Sequence, residues 1–126
     1  MTISRRQARR QALFLLYQWD LSGQEIGSQY AGEIDPWARG VAEAVAQRAP
    51  ELDARITAAS EGWTADRLGA VERSALRVAV HELERREVPA QVAISEAVAF
   101  AKRYASEDGA KLVNGILGRI QREEAA

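Results

Sequence analysis

Apolar residues recur at intervals of three and four through most of this chain, and that spacing limits the possible folds more than any other feature of the sequence. In the first segment they stand at Ala8, Ala12, Leu15, Leu16 and Trp19. This spacing is typical of an α-helix with one buried face, because about 3.6 residues make one turn. The β-branched alternation that indicates strands is scarce. The sequence therefore predicts an all-α protein with no β-sheet.

Capping residues, prolines and glycines divide the helical pattern into segments. Ser4 and Asp35 are the expected N-caps of the first two helices. On the sixth segment Val92 and Tyr104 are expected to face the core, and Ser106 to Gly109 is expected to break the chain after it. Short connections favour antiparallel neighbours, so two small bundles packed on each other are expected. About seven helices result, the fourth being a short turn, at roughly 4–21, 35–48, 50–62, 64–68, 70–86, 89–104 and 110–120.

Length and composition bound the class of protein. The chain has 126 residues, which suits a single domain spanning 1–126. It contains no cysteine, which excludes disulfides, thiol catalysis and cysteine-based metal sites. No apolar run is long enough to cross a bilayer, and no secretory signal is visible. We therefore expect a cytoplasmic protein.

The side chains that catalysis needs are scarce. The one histidine, His81, stands in the most apolar helix, where a lone histidine is typically a packed or semi-exposed residue, because general acid–base work needs a positioned partner. No histidine–carboxylate spacing indicates a metal site. The adjacent Glu107 and Asp108 are interpreted as a turn and N-cap before the last helix. The sequence thus predicts that the protein is not an enzyme and uses no cofactor or metal.

Four arginines cluster at the start of the first helix, at Arg5, Arg6, Arg9 and Arg10, with no acidic residue before Asp20. Like charges four residues apart cost about 0.2–0.5 kcal/mol per pair, and cations are disfavoured at a helix N-terminus. A phosphate-bearing partner would explain the cluster, because the guanidinium fork can give a phosphate two hydrogen bonds. The sequence therefore favours a nucleic-acid contact. A solvated basic face, or acids elsewhere in the fold, remain alternatives.

A locally unfavourable motif interrupts the last helix. Asn114 and Gly115 follow one another there, and Gly118 comes one turn later. Glycine costs about 1 kcal/mol relative to alanine inside a helix. We interpret the motif as structural and expect another helix to approach it closely.

The two ends of the chain resemble a known family. The segments that carry the resemblance are 5–9 (RRQAR), 12–20 (ALFLLYQWD), 76–83 (LRVAVHEL), 86–89 (REVP), 92–98 (VAISEAV), 101–104 (AKRY) and 111–117 (KLVNGIL). The sequence is similar to the NusB family of bacterial transcription antitermination factors over nearly its whole length. Residues 24–69 match mainly in pattern.

The resemblance implies a function and a set of site residues. It implies two helical subdomains that bind the box A element of ribosomal RNA leaders together with NusE, a small-subunit ribosomal protein. The pair would then join RNA polymerase through other Nus factors. By position, the resemblance assigns Arg5, Arg6, Arg9 and Arg10 to the RNA surface, and Glu72, Tyr104, Asp108 and Lys111 to the RNA or NusE surface.

Some roles stay open at this stage. Tyr104 is suited to stacking on an unpaired base, but it also continues the apolar face of Phe100 and Ala101. Glu72 and Asp108 can accept from a base amino group, or serve as a first-turn acid and an N-cap. Both a monomer and a homodimer are compatible with the sequence.

Three other classes of protein are weighed against an RNA-binding adaptor. A DNA-binding regulator is one, because the segments around 70–86 and 90–104 meet at a short turn, but the second begins Gln91, Val92, Ala93 and is poor in base-reading donors. A protein-only interaction module is another. A fragment of an RNA methyltransferase is the third, since 126 residues leave no room for a methyl-donor domain.

Overall fold

The all-helical prediction is confirmed by a computed structural model that describes residues 2–125. Within that range there are six α-helices, one 3₁₀ turn and no β-strand. The α-helices are α1 (Arg5–Ser22), α2 (Pro36–Gln47), α3 (Ala49–Ala59), α4 (Ala70–Arg85), α5 (Ala90–Tyr104) and α6 (Glu107–Ala125), and the 3₁₀ turn is Ala65–Arg67.

The first two helices begin at the caps that the sequence predicts. The Ser4 hydroxyl accepts from the backbone N–H of Gln7 at 3.1 Å, and the Gln7 side chain accepts from the N–H of Ser4 at 2.9 Å. Asp35 Oδ2 accepts from the N–H of Ala38 at 3.0 Å. These bonds satisfy amide groups that have no partner inside the helix, so they fix where α1 and α2 start.

The predicted start of the last helix is wrong. The sequence predicts a break from Ser106 to Gly109 with Glu107 and Asp108 as a turn and N-cap, but α6 already begins at Glu107. Ser106 is the residue that caps it, because its hydroxyl accepts from the N–H of Gly109 at 2.9 Å. Glu107 and Asp108 therefore occupy the first turn, where negative charge is stabilised by the helix dipole.

Helix α4 is central, as its apolar sequence predicts. All ten residues from Ser74 to Leu83 are buried. The helix contacts each of the other five α-helices. On one side α4, α5 and α6 pack together, and on the other α1, α2 and α3 form the second group. Each of the other five α-helices is therefore positioned by its packing against α4.

Two other predictions about the C-terminal helices are wrong. Val92 was expected in the core but is 39% exposed, because the buried row of α5 starts one residue later, at Ala93 and Ala97. No helix approaches Gly115 within residues 2–125, since a methyl group placed on it would meet no atom within 4 Å. The glycine leaves an open strip on the surface of α6 instead.

Charged side chains of α4 are buried and paired with the N-terminal helices. Arg77 donates to both carboxylate oxygens of Asp53 in α3 at 2.7 Å, and to Asp20 in α1 at 3.1 Å. Arg73 also binds Asp20 and donates to the carbonyl of Ala65 at 3.1 Å. A buried charge is costly unless it is paired and hydrogen-bonded. This network therefore fixes α1, α3 and the 3₁₀ turn against α4.

A second buried pair joins α1 to α4 nearer the start of α1 and the end of α4. Arg9 Nε and Nη2 donate to the two oxygens of Glu82, each at 2.8 Å. Arg9 is 4% exposed and Glu82 is 7% exposed. The two donors and two acceptors match in the planar geometry that arginine and carboxylate favour. The pair fixes the rotation of α1 about its own axis.

His81 lies beside this pair, where α4 meets α2 and α3. Its Nδ1 accepts from Arg48 Nη1 at 2.8 Å. Burial, and then the charges of Arg48 and Arg85, lower the pKa of His81, while Glu82 and Glu84 act in the opposite direction. The imidazole is therefore neutral in the folded protein at neutral pH and has a structural role.

We predict that Arg9→Ala lowers the free energy of unfolding by about 3–5 kcal/mol, because it leaves the Glu82 carboxylate buried without a partner. Urea unfolding followed by circular dichroism measures this. Arg85→Ala, which breaks the exposed Arg85–Glu87 pair, is the control and should change little. A loss for Arg9→Ala no larger than that of the control would contradict the structural role of the pair.

We predict that the protein loses stability as the pH falls below about 6.5. The unfolded chain protonates its histidine near that pH, whereas the folded chain resists protonation because its His81 pKa is lowered. The stability that the neutral His81 contributes is therefore complete above the pKa that the histidine has in the unfolded chain, and it is lost as the pH falls below that value. Urea midpoints between about pH 7.5 and about pH 5.5 measure the effect. In His81→Asn, whose amide oxygen can still accept from Arg48, the decline should be smaller; an equal decline would exclude His81 as its source.

Candidate nucleic-acid interface

The four arginines of α1 point in two directions. Arg5 and Arg9 face α2, where the guanidinium carbon of Arg5 lies 4.1 Å from the ring centroid of Trp37 and that of Arg9 lies 5.7 Å from it. Arg6 and Arg10 line a groove against α5, which Arg9 also borders. The cluster is therefore two rows of side chains rather than one basic face.

Acids distant in the sequence neutralise part of the cluster. Arg9 forms an ion pair with Glu82, which lies 73 residues away in the sequence. Arg6 Nε donates to Glu96 of α5 at 2.9 Å. Acids elsewhere in the fold were one explanation for the cluster, and for Arg9 that explanation holds. Arg6 differs, because its side chain is 71% exposed and its terminal nitrogens remain open to solvent. Arg10 is exposed and forms no ion pair within residues 2–125.

The groove between α1 and α5 has a volume of about 530 Å³. Its single acidic residue is Glu96. Its apolar floor includes Leu13 and Phe100. The basic side chains that line it are Arg6, Arg9, Arg10, Lys102 and Arg103. With Arg9 paired internally, four cations remain around one acid, so the groove attracts anions.

Tyr104 lines this groove and also packs against the core. Its ring packs edge-on against Phe14, with centroids 4.9 Å apart and planes at 75°, and lies 4.9 Å from Phe100. The residue is nevertheless 37% exposed. Its hydroxyl accepts from Arg103 Nε at 3.0 Å. One part of the ring is thus anchored in the core, while the rest borders the groove beside a cation.

Lys102 and Arg103 belong to the groove but were not selected as site residues from the sequence. They stand in the last turn of α5, where cations are favoured by the helix dipole, so a structural reason for them is available. The signal that points to function is their position directly before Tyr104, since cations next to an aromatic ring are typical of nucleic-acid surfaces.

Glu72, Asp108 and Lys111 lie outside the α1–α5 groove. Glu72 is half-buried in the first turn of α4, and its carboxylate also lies against the start of α6, where a methyl group on Gly109 would come within 3.0 Å of Glu72 Oε2. Both helix N-termini favour this negative charge. Asp108 and Lys111 are exposed on the first turns of α6. Of the site residues predicted from the sequence, four therefore line the groove: Arg6, Arg9, Arg10 and Tyr104. The other four lie outside it: Arg5, Glu72, Asp108 and Lys111.

The part of the chain that the structure describes contains neither a metal-ligand cluster nor a membrane-spanning helix. Among residues 2–125, no three His, Asp or Glu side chains are close enough to hold a metal ion together. None of the helices in that range combines the length and apolarity that crossing a membrane requires.

Comparison with known proteins connects this arrangement to a family. The NusB family model matches residues 6–122. Transcription antitermination protein NusB of Rubrobacter xylanophilus is 41% identical over 122 residues, which cover 91% of this chain and 88% of the relative.

Solved structures agree with the sequence comparison. T. maritima NusB superposes with a TM-score of 0.86 at 32% identity, covering 98% of this chain and 94% of the other. A crystal structure of the antitermination factors NusB and NusE in complex with double-stranded RNA contains a chain with a TM-score of 0.82 at 30% identity, covering 94% and 96%. The match of family, relatives and fold over nearly the whole length shows that this chain belongs to the NusB family.

Proposed function

We propose that this chain is an RNA-binding adaptor in transcription antitermination and acts by binding rather than by catalysis. It binds the box A element of ribosomal RNA leaders as a single strand, together with NusE, and reaches RNA polymerase through other Nus factors in the cytoplasm. The observation that supports this most is the α1–α5 groove, in which exposed cations surround the open edge of an aromatic ring.

The groove supplies the two kinds of contact that single-stranded RNA uses. Arg6, Arg10 and Arg103 present guanidinium groups, which suit phosphate because they can donate two hydrogen bonds to it. Tyr104 offers part of its ring to an unpaired base, and its anchoring by Phe14 removes the entropy cost of ordering it. The cations would hold the backbone while the ring and neighbouring polar groups select the base.

Arg9 acts through the fold in this proposal. Its guanidinium is committed to Glu82 and is almost fully buried, so it orients α1 instead of touching phosphate. Arg5 has a free face above Trp37 and would extend the basic surface on the other side of α1. Glu72, Asp108 and Lys111, around the start of α6, are proposed as a second surface that meets NusE or adjoining RNA.

The groove supports RNA binding better than it supports a DNA-binding regulator or a protein-only interaction module. A helix-turn-helix reader would place the start of its second helix in a DNA groove, but the basic residues of α5 stand in its last turn, at Lys102 and Arg103. A protein-only module would explain the cations by an acidic partner but gives no role to the exposed edge of Tyr104 beside them.

The experiment that tests the proposal is a fluorescence-anisotropy titration with box A RNA, a scrambled RNA of equal length and a duplex, each with and without NusE, at two salt concentrations. We expect the tightest binding to single-stranded box A, strengthened by NusE and weakened by salt. The duplex is included because a solved relative is bound to double-stranded RNA. Equal binding to box A and scrambled RNA, with no effect of NusE, would contradict the proposal.

We predict that Arg10→Ala and Arg103→Ala each weaken box A binding about tenfold, the effect of losing one charge-assisted hydrogen-bonded contact. Each should also reduce the slope of log affinity against log salt by about 0.7, the value for one phosphate contact to a single strand. Arg67→Ala is the matched control, since Arg67 is an exposed arginine of the 3₁₀ turn outside the groove. If the groove variants and the control behave alike, the cations act only through the overall charge.

A further inference from the structure

Trp63 is the most exposed aromatic residue of the described chain, with 53% of its surface accessible. Trp19 and Trp37 are both partly buried against the core. Trp63 stands after α3, where its N–H donates to the carbonyl of Ser60 at 3.1 Å and Gly62 adopts a φ of +83°. The backbone of this turn is therefore hydrogen-bonded while the indole projects away from the core.

The indole lines a second groove, of about 270 Å³, between this turn and α6. Gly115 forms part of its base and, having no side chain, leaves the groove open. Lys111 and Arg119 stand along it. Arg119 is fixed, since its Nη1 donates to the carbonyl of Ala59 at 2.6 Å and its Nη2 to Glu61 at 2.9 Å. Lys111 is exposed and takes part in no ion pair within residues 2–125.

We propose that the Trp63 groove binds a further nucleotide of the single-stranded RNA, with the base stacked on the indole and a phosphate held by Lys111. This inference rests on the proposed RNA-binding function and adds a second contact point to it. The chemistry is that of single-strand binding surfaces, in which aromatic platforms alternate with cations.

Lys102 and Lys111 lie on either side of the turn between α5 and α6. Lys102, which lines the α1–α5 groove, reaches across the turn between α5 and α6 to Glu107 at 3.9 Å. Lys111 follows Glu107 by one helical turn, a rise of about 6 Å along α6. Lys111 in turn lines the Trp63 groove, and the residue one turn beyond it on that face of α6 is Gly115.

Charge favours RNA over a protein partner in this groove. Its one carboxylate, on Glu61, is engaged by Arg119, so the unpaired charge that remains is the ammonium of Lys111. An apolar docking surface would need a wider patch, but Leu112 is half-buried and Ile116 is buried, which leaves the indole as the exposed apolar group.

The test compares Trp63→Ala and Trp63→Phe with the unaltered protein, by anisotropy, on single-stranded RNAs of roughly six and roughly twelve nucleotides. The short RNA reports the α1–α5 groove, and its dependence on Arg10 is verified with Arg10→Ala. We expect Trp63→Ala to weaken binding of the long RNA about tenfold, Trp63→Phe to retain most of the affinity because a ring remains, and neither to affect the short RNA. Leu21→Ala, which removes another exposed apolar side chain, is the control.

The two RNA lengths distinguish failure of the Trp63 groove from failure of the proposed RNA-binding function. If neither RNA binds the unaltered protein, the RNA-binding proposal itself fails. If both RNAs bind but Trp63→Ala and Leu21→Ala bind the long RNA equally well, the Trp63 groove carries no nucleotide. Loss of NusE binding in Trp63→Ala with unchanged RNA affinity would also overturn the inference and assign the groove to protein. Circular dichroism of Trp63→Phe verifies that the fold is intact.

Discussion

The pairing of buried charges on α4 with acids and bases of the surrounding helices is the interaction on which the rest of the structure depends. Apolar packing alone would let α1 and α3 slide or rotate against α4, because hydrophobic attraction has no direction. Arg77 and Glu82 remove that freedom, since each must meet its carboxylate or guanidinium partner at hydrogen-bond distance. A buried ion pair adds little net stability compared with apolar residues, but a mispaired one is very costly. The pairs therefore select one arrangement of the helices.

The same pairing divides the arginines into those that hold the fold and those that face solvent. Arg9 sets the rotation of α1, and the helical period then directs Arg6 and Arg10 toward α5. Lys102 and Arg103 meet them from the other side because α5 is itself packed against α4. The position of the basic groove thus follows from the position of the buried ion pairs, and the RNA surface that we propose is made of the cations that remain exposed to solvent.

Local signals predicted the local features of this structure. The apolar period, the Ser4 and Asp35 caps and the prolines were enough for the class of fold and for most helix ends. The start of α6 was missed because two adjacent acids looked like the stronger cap, whereas Ser106 held the geometry. Ion pairs between residues far apart in the sequence could not be predicted, because no residue near Arg9 indicates that its partner is Glu82. The open face at Gly115 was missed for the same reason, because a sequence does not show which helix lies next to which.

The division of the arginines is tested most directly by nuclear magnetic resonance of their side-chain Nε–Hε groups during titration with box A RNA. At 13.9 kDa the protein is well suited to this measurement. The account predicts that the signals of the exposed Arg6, Arg10 and Arg103 shift on binding. Those of Arg9, Arg73 and Arg77 should stay in place, because these side chains are largely buried together with their carboxylate partners. Shifts confined to the second set, or spread evenly over all arginines, would contradict the claim that pairing within the fold determines which cations bind RNA.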